Sequence, residues 1–306
     1  MRAFVTGGNG FVGSYLVKEL VNAGHEVLCL KRPSSDLFRL GSYAGRVKWV
    51  NTTDDWKSIA VAFKPDITYH LAWKGVAAAE RVIWDMQVSN LSFQQELLDV
   101  VLSAGCKKYV GIGSQAEYGD FEDKIDESHP LNPKTAYSAA KVAALDIMRA
   151  FCEIHKIDWY WFRLFPLFGP YEADRWLIPS LIKNIFTQDS MDLTPGEQKL
   201  PYLYVGECAR AIAAAINVEG RSGIYNICSD NPIPLKTLVT AIRDRIAPSF
   251  RLNFGTLPYR YGQSMYMEGD TTALRNNICS LNTADFRERL KETIDYYIEK
   301  YSQQNK

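Results

Sequence analysis

The 306-residue sequence has no excess of charge of either sign and no long apolar run. Its 35 basic and 35 acidic residues cancel, which argues against a protein that grips a nucleic-acid backbone or an anionic membrane surface. No apolar stretch approaches the roughly 18 residues that predict a membrane span. Gly7 and Gly8 interrupt the first apolar run too early for a signal peptide. We therefore expect a small-molecule partner, neither nucleic acid nor membrane, and a cytoplasmic location.

Clusters of cysteine or histidine are also missing. The 6 cysteines form no Cys-x-x-Cys pair and no small disulfide-rich segment, so we expect buried free thiols in a reducing compartment. The 4 histidines lack the spacing of a local metal motif, and no metal is expected. With 47% hydrophobic residues the chain can bury a sizeable core, which excludes a disordered protein.

Short apolar segments alternate with helical ones through the first half of the chain. The predicted strands are residues 2–6, 26–30, 47–50, 67–72, 108–112 and 159–162, and the longest predicted helices are residues 14–23, 84–104 and 136–154. Several of these strands are continuously apolar, which is typical of parallel strands covered on both faces. The sequence therefore predicts an α/β fold built on a doubly wound parallel sheet.

The pattern changes after residue 165, where prolines and glycines separate shorter elements. We therefore predict a sheet domain over residues 1–165 and a smaller C-terminal α/β lobe over residues 166–306. Residues 203–217 contain an apolar helix, and we expect this segment to return to the first domain.

A glycine-rich segment, Gly7-Gly8-Asn9-Gly10-Phe11-Val12-Gly13, follows the first strand and opens the first helix. Glycines are needed where the backbone turns sharply and where a pyrophosphate approaches closely, while the helix N-terminus offers free N–H groups. The segment favours a dinucleotide site that includes Gly7, Gly10, Phe11, Val12 and Gly13. An ordinary glycine-rich turn is the alternative.

The end of the second strand indicates which dinucleotide would bind. NAD-binding units usually carry an acidic residue there for the ribose hydroxyls. Here Lys31 and Arg32 occupy that place, and no acid occurs before Asp36. Paired cations suit a ribose 2′-phosphate, so the sequence favours NADP(H) over NAD(H). A solvated loop is the alternative for these side chains.

Tyr137 and Lys141 begin a predicted helix at a spacing that places both side chains on one face. The same spacing recurs at Tyr296 and Lys300 in the C-terminal helix, which we interpret as solvated helix surface. What distinguishes Tyr137 is Ser114, at the carboxyl end of a predicted strand, where open α/β sheets bind ligands. We predict that Tyr137 moves a proton to or from a substrate oxygen, Ser114 hydrogen-bonds that oxygen, and Lys141 lowers the pKa of the phenol and holds the nicotinamide ribose. Turn capping is the alternative for Ser114.

These motifs combine with others along the chain, namely residues 6–13, 70–72, Asn90, residues 114–119, Tyr137 with Lys141, and residues 163–170, 204–207, 223–226 and 260–270. The combination resembles the extended short-chain dehydrogenase/reductases, the branch that modifies nucleotide sugars, over nearly the whole chain. The resemblance implies a Rossmann-type domain with a smaller substrate-binding lobe, an NAD(P) cofactor and a nucleoside-diphosphate sugar. It also implies that Leu71 and Ala72 contact the cofactor.

Departures from the family pattern restrict the reactions that we expect of this protein. Gln115 and Ala116 stand where the family's 4,6-dehydratases carry an Asp-Glu pair, which argues against a dehydratase. Lys199 begins a Lys-Leu pair where Arg-Asp is common, and Arg260 is similar to the family's diphosphate-binding arginine. We take Arg260, Gln115 and Lys199 as candidate substrate-binding residues.

The resulting prediction is an NADPH-dependent reductase of a nucleoside-diphosphate 4-keto-6-deoxyhexose, with Tyr137 as general acid. A nucleotide-sugar 4-epimerase would use the same residues and is the alternative. A non-catalytic NADP-binding sensor is less favoured, because it needs no such tyrosine, lysine and serine together. The family's usual homodimer would form through helices 84–104 and 136–154.

Overall fold

The computed structural model of the protein describes residues 1–259 and 263–303. Strands and helices alternate through its first part. In chain order they are β1 (Arg2–Thr6), α1 (Phe11–Asn22), β2 (Glu26–Lys31), β3 (Lys48–Asn51), α2 (Trp56–Phe63), β4 (Ile67–His70), α3 (Trp84–Ser103), β5 (Lys108–Ser114), β6 (Lys124–Ile125), α4 (Ala136–His155) and β7 (Asp158–Leu164).

The second part has shorter strands. In chain order its elements are β8 (Leu167–Phe168), α5 (Leu177–Thr187), β9 (Ser190–Leu193), β10 (Lys199–Leu200), β11 (Leu203–Tyr204), α6 (Val205–Ala214), β12 (Gly223–Ile227), β13 (Ile233–Pro234), α7 (Leu235–Ile246), β14 (Arg251–Phe254), β15 (Glu268–Gly269), α8 (Thr272–Asn277) and α9 (Phe286–Ser302).

The main sheet has seven strands in the order β12-β7-β5-β4-β1-β2-β3, and every neighbouring pair is parallel. The chain starts in the middle with β1, winds outwards to β3, and then returns through β4 to the other edge. The predicted doubly wound parallel sheet is therefore confirmed. One strand, β12, comes from beyond residue 165, so residues on both sides of the predicted domain boundary build the sheet.

Apolar side chains cover both faces of the sheet. On one face, α1 and α6 pack together, and Leu16 and Val17 share a buried core with Cys208 and Ile212. The segment that contains α6 therefore lies against the sheet. On the other face, α2, α3 and α4 cover a second core that includes Trp161. A third core lies between α5, α7 and α9 in the second part of the chain.

The bounds of two elements differ slightly from the sequence prediction. Strand β4 ends at His70, two residues before the predicted end. Helix α1 begins at Phe11 rather than residue 14, directly after the glycine turn. All six cysteines are free, and all but the half-buried Cys279 are buried, as predicted.

Candidate active site

The glycine turn between β1 and α1 is closed so tightly that side chains would not fit. Gly7 has a left-handed φ of +76°, and a Cβ there would lie 2.6 Å from the backbone nitrogen of Ala72. A Cβ on Gly13 would lie 2.1 Å from the carbonyl oxygen of Gly7. The N–H of Gly10 donates to that same oxygen at 2.9 Å. No side chain caps the N-terminus of α1 at Gly10, so its first N–H groups face the turn.

The end of β4 is attached to the end of β1. The N–H of Leu71 donates to the carbonyl oxygen of Thr6 at 3.1 Å. The N–H of Ala72 donates to the Thr6 hydroxyl oxygen at 3.3 Å, and that hydroxyl also lies 2.9 Å from Nδ1 of His70. These hydrogen bonds hold Leu71 and Ala72 beside the glycine turn. The predicted contact of both residues with the cofactor stays a prediction.

The loop after β2 carries the two cations of the cofactor prediction. Lys31 ends β2 and is half-buried, while Arg32 is exposed. The carbonyl oxygen of Arg32 accepts a hydrogen bond from the N–H of Ser35 at 3.0 Å, which turns the loop back. The side-chain amide of Asn9 donates to the carbonyl oxygen of Asp36 at 3.3 Å. This contact joins the loop to the glycine turn.

Helix α4 begins at a well-defined position because its first turn is capped. The hydroxyl of Thr135 accepts from the N–H of Ser138 at 3.2 Å, and the Ser138 hydroxyl donates to the Thr135 carbonyl at 3.0 Å. Tyr137 and Lys141 follow in the first two turns of α4, and both are buried, with exposed fractions of 7% and 4%. The i,i+4 pair predicted from the sequence therefore points into the protein.

The ammonium of Lys141 is enclosed by β5 and by the loop after β4. Its Nζ donates to the carbonyl oxygen of Ile112 at 2.7 Å and lies 3.5 Å from the centroid of the Trp73 ring. Burial lowers the pKa of Lys141 to about 7, although the carboxylate of Glu117 opposes this change. Lys141 can therefore change its protonation state near neutral pH.

Ser114 ends β5 and is held by the short helical turn that follows it. Its hydroxyl oxygen accepts from the N–H of Ala116 at 3.2 Å, and its own N–H donates to Oε1 of Glu117 at 2.7 Å. The Ser114 hydroxyl lies near enough to the phenol of Tyr137 to oppose the rise in its pKa. The structure thus brings Ser114, Tyr137 and Lys141 together, and Ser114 caps its turn as well as facing the phenol.

The electrostatics of Tyr137 differ from the sequence prediction. Burial raises the pKa of Tyr137, and the groups that oppose this rise are Arg81 and the Ser114 hydroxyl. The guanidinium carbon of Arg81 lies 4.9 Å from the centroid of the Tyr137 ring, whereas Nζ of Lys141 lies 5.8 Å from it. Lys141 was predicted to lower this pKa. In the structure Arg81 is the cation that does so, because the Lys141 ammonium is turned towards Ile112 and Trp73.

The second tyrosine–lysine pair, Tyr296 and Lys300, lies in α9, away from the cluster of Tyr137 and Lys141. The ring of Tyr296 packs against Tyr171 with a centroid distance of 4.7 Å. Nζ of Lys300 forms an ion pair with Asp174 at 2.6 Å. Both side chains are half-buried and attach α9 to the loop after β8, so the interpretation as solvated helix surface is wrong and the pair has a structural role.

The predicted substrate-binding residues lie further apart along the fold than the predicted catalytic residues. Gln115 directly follows Ser114 and is half-buried. Lys199 is exposed on β10, and its backbone N–H donates to the carbonyl oxygen of Met265 at 2.9 Å. The neighbouring N–H groups of Met265 and Tyr266 donate to the carboxylate of Glu122, each at 3.1 Å. Arg260 lies outside the described residues.

Some residues of the site are missing from the sequence prediction. Trp73, Arg81 and Glu117 each contact the predicted set, but their positions depend on loops or on neighbouring strands. The loop that carries Trp73 is fixed by α3, because the Trp73 indole donates to Gln87 at 2.9 Å and the N–H of Lys74 donates to Asn90 at 2.8 Å. Asn90 was the one signal in the sequence for this loop, through the family resemblance.

Residues 3–228 match the model of the NAD dependent epimerase/dehydratase family. This match covers most of the chain, and the protein therefore belongs to that family. The resemblance found in the sequence and the predicted enzyme class, a nicotinamide-dependent oxidoreductase of the short-chain type, are confirmed.

Individual relatives span several activities. The dTDP-6-deoxy-L-talose 4-dehydrogenase (NAD(+)) of Aggregatibacter actinomycetemcomitans is 26% identical, over 88% of this chain and 99% of its own length. The UDP-N-acetylglucosamine 4-epimerase of Methanobrevibacter ruminantium M1 superposes with a TM-score of 0.89 and 23% identity, over 98% of each chain. DesIV, a dTDP-glucose 4,6-dehydratase of Streptomyces venezuelae, superposes with a TM-score of 0.85 and 23% identity, over 99% of this chain and 98% of its own. Both structures share the predicted fold.

Two further properties concern the described part of the chain. Among residues 1–259 and 263–303, no group of three or more His, Cys, Asp or Glu side chains could hold a metal ion. Each helix within these ranges is too short or too polar to cross a bilayer.

Proposed function

We propose that this protein is an NADPH-dependent reductase of the keto group of a nucleoside-diphosphate 4-keto-6-deoxyhexose. The observation that carries the proposal is the buried cluster of Tyr137, Ser114 and Lys141 at the carboxyl edge of the sheet, next to the glycine turn. The turn, Leu71 and Ala72 leave a cradle that any added Cβ at Gly7 or Gly13 would fill, which fits a pyrophosphate. A bound nicotinamide cofactor supplies the hydride.

The protein's own residues would handle the substrate oxygen and its proton. Ser114 donates a hydrogen bond to the substrate carbonyl oxygen and so fixes its position. Tyr137 gives its phenolic proton to that oxygen as negative charge develops there. Its raised pKa keeps the phenol protonated before the reaction, as a general acid requires. Arg81 places positive charge near the phenolate that remains, and Lys141 would hold the nicotinamide ribose.

The cofactor preference rests on Lys31 and Arg32 at the end of β2. The 4-dehydrogenase relative is named for NAD(+), so the relatives do not supply this preference. We expect NADPH to bind more tightly than NADH by roughly tenfold or more, because charge-assisted hydrogen bonds contribute about 1.5–3 kcal/mol each. Changing both residues to alanine should remove the difference. Equal dissociation constants in the unmodified protein would contradict the proposal.

The substrate class is supported by the relatives and by the residues beside Ser114. The 4-dehydrogenase relative is named for the 4-position of a 6-deoxy sugar carried on dTDP. Gln115 and Ala116 supply no carboxylate for a 4,6-elimination. We place the sugar diphosphate near Gln115 and Lys199, together with Arg260.

Stoichiometry is the experiment that tests the reaction. Purified protein is given a nucleoside-diphosphate 4-keto-6-deoxyhexose and NADPH, and product and absorbance at the nicotinamide band are followed together. The proposal requires one NADPH oxidised for each product molecule formed. Interconversion of two hydroxyl epimers without net change in nicotinamide absorbance would replace it with the 4-epimerase, the second candidate, which the M. ruminantium likeness in fold accommodates.

We further propose that the protein acts in the cytoplasm as a homodimer formed through α3 and α4. Its free cysteines fit a reducing compartment. On α3, Trp84 and Val88 are 62% and 51% exposed, and on α4, Ile147 and Ile154 are 43% and 75% exposed. Such apolar side chains on two neighbouring helices fit a covered interface. Light scattering should give about twice the 34.7 kDa chain mass, and Val88→Glu should give the monomer. A monomeric unmodified protein would contradict this.

A further inference from the structure

The indole ring of Trp73 covers the ammonium of Lys141, and the proposed reaction gives Trp73 no role. Nζ of Lys141 lies 3.5 Å from the centroid of the Trp73 ring, which is contact distance for an ammonium over an aromatic face. The same ring meets the ring of Tyr137 edge to face, at a centroid distance of 6.4 Å and an interplanar angle of 86°. One side chain from the loop after β4 therefore packs against both Tyr137 and Lys141.

The loop that carries Trp73, residues 73–81, is attached to α3. The Trp73 indole N–H donates to Oε1 of Gln87 at 2.9 Å, and the amide of Gln87 donates to the carbonyl oxygen of Gly75 at 2.8 Å. Gln87 is 0% exposed. Gly75 has a left-handed φ of +80°, and a Cβ there would lie 2.3 Å from Nε2 of Gln87, so this close approach needs glycine. Hydrogen bonds to α3 therefore fix the ring from outside the tyrosine–lysine pair.

The far end of the same loop contacts Tyr137. The N–H of Tyr137 donates to the carbonyl oxygen of Arg81 at 2.9 Å, and the guanidinium carbon of Arg81 lies 4.9 Å from the Tyr137 ring centroid. Nε of Arg81 donates to the carbonyl oxygen of Val76 at 2.9 Å, which closes the loop on itself. The loop thus covers the pair at both ends, with Trp73 on Lys141 and Arg81 on Tyr137.

The other groups that face Lys141 come from β4, β5, α4 and the turn after β5. The carbonyl oxygen of Ile112 accepts from the ammonium at 2.7 Å, and the carboxylate of Glu117 favours the charged form. His70 is neutral because burial lowers its pKa to about 3, and burial raises the pKa of Tyr137, which keeps the phenol protonated. The face of an aromatic ring attracts a cation, and more strongly where water is excluded. The indole face therefore favours the charged form of this buried ammonium.

We propose that Trp73 is a positioning residue, whose indole face holds the Lys141 ammonium in its charged form and in the orientation that the active site needs. An ammonium carries three N–H donors, so engaging the Ile112 carbonyl and the indole face leaves one for a ligand oxygen. This inference rests on the proposed function, because it takes Lys141 as an active-site group. It goes beyond that function because Trp73 acts through Lys141.

Truncation of Trp73 would not isolate this effect. A smaller side chain admits water to Lys141, and water also favours the ammonium, so the two changes oppose each other. The test therefore keeps the size of the ring and lowers the electron density of its face. Tryptophan with one, two or three fluorine atoms on its benzene ring replaces Trp73 by codon suppression, and each fluorine weakens the attraction to a cation. The indole N–H, which donates to Gln87, is retained.

The readout is the titration midpoint of Lys141, followed by the ¹³C chemical shift of its Cε in protein with labelled lysine and assigned by its loss in Lys141→Met. The unmodified protein should titrate near pH 7. The midpoint should fall with each added fluorine, by about one pH unit in total, which is the scale of a cation–π contact without water. Equal midpoints across the series would overturn the inference.

Trp56 provides a matched control. Its ring also lies near an ammonium, that of Lys57 at 5.7 Å, but in α2 and outside the site. Fluorination at position 56 should leave the Lys141 midpoint unchanged, and an equal shift there would contradict the inference. Trp73→Phe and Trp73→Leu form a second test, because both side chains are smaller than tryptophan and only phenylalanine keeps an aromatic face. The phenylalanine variant should have the higher midpoint, and equal values would also overturn the inference.

Activity gives a separate readout. A neutral amine donates weaker hydrogen bonds than an ammonium, so the alkaline limb of the kcat/KM profile should move with the Lys141 midpoint in each fluorinated variant. A purely structural role of Trp73 would lower kcat/KM by the same factor at every pH. If the protein reduces no keto sugar nucleotide, the proposed function fails, yet the Lys141 midpoint still decides the role of Trp73.

Discussion

Lys141 provides the sharpest quantitative test of the structure, because its ammonium is buried and its pKa is lowered from 10.5 to about 7. Between these values the unfolded chain binds more protons than the folded one, so the stability of the folded protein rises with pH. Below pH 7 the full penalty of burying the charge is present, and above 10.5 it is gone. Lys141→Met fills similar space without a titrating group and lacks this pH dependence.

The size of the effect follows from the two pKa values. With 10.5 unfolded and about 7 folded, two-state proton linkage gives a penalty of roughly 4–5 kcal/mol at pH 6.5, which falls to roughly 1 kcal/mol at pH 9.5. The stability difference between Lys141→Met and the unmodified protein should therefore fall by about 3 kcal/mol between these pH values. Taking the difference between the two proteins cancels the other groups that titrate in this range.

Urea denaturation at pH 6.5 and pH 9.5 measures this double difference. The substitution also removes the hydrogen bond from Nζ to the carbonyl of Ile112 at 2.7 Å. Lys108→Met removes an equivalent bond outside the site, from a buried lysine to the carbonyl of Ile216 at 2.7 Å, and measures that loss by itself. Parallel stability curves for Lys141→Met and the unmodified protein would refute the reasoning.

Three further outcomes are expected. Tyr137→Phe should lower kcat by about 10²–10⁴-fold with cofactor binding retained. Tyr296→Phe should leave turnover unchanged, because the Tyr296 ring packs against Tyr171 outside the site; equal losses would mean that Tyr137 is structural. Gly13→Ala should abolish dinucleotide binding, because the added Cβ would lie only 2.1 Å from the Gly7 carbonyl oxygen, and this clash outweighs the roughly 1 kcal/mol that alanine adds to a helix. Gly45→Ala, whose added Cβ would have nothing within 4 Å, should bind normally. Calorimetry of NADP(H) binding at pH 8 in two buffers should detect proton uptake, because an anionic cofactor favours charged Lys141 over its neutral form, and buffer-independent heats would contradict this.

Local patterns were enough to predict much of the fold and to name three side chains that the structure brings together. Tyr137 and Lys141 lie one helical turn apart, so their common face needs no tertiary information. Ser114 was predictable because the carboxyl ends of parallel strands mark ligand sites. The continuous apolar strands likewise predicted a covered parallel sheet, which the structure has.

Long-range pairings explain what the sequence pattern missed. Glu117 meets Arg163 across 46 residues, and only the pairing of β5 with β7 places them together. Arg81 reaches the Tyr137 ring from an irregular loop, for which no periodic signal exists. Strand β12 joins the sheet after the chain has built much of the smaller lobe, and its five residues resemble any short apolar strand.

The buried charges of the site work against the stability of the folded protein. Lys141, Glu117 and Arg163 are all almost completely buried, and burying charge costs free energy even when ions pair. Two cations and one carboxylate leave an excess of positive charge in this part of the protein, and a bound anion would offset it. Lys141→Met is accordingly expected to stabilise the ligand-free protein at neutral pH while it removes a proposed active-site group. A chain selected for stability alone would carry an apolar residue at this position, and the proposed role of Lys141 in the active site gives this cost a reason.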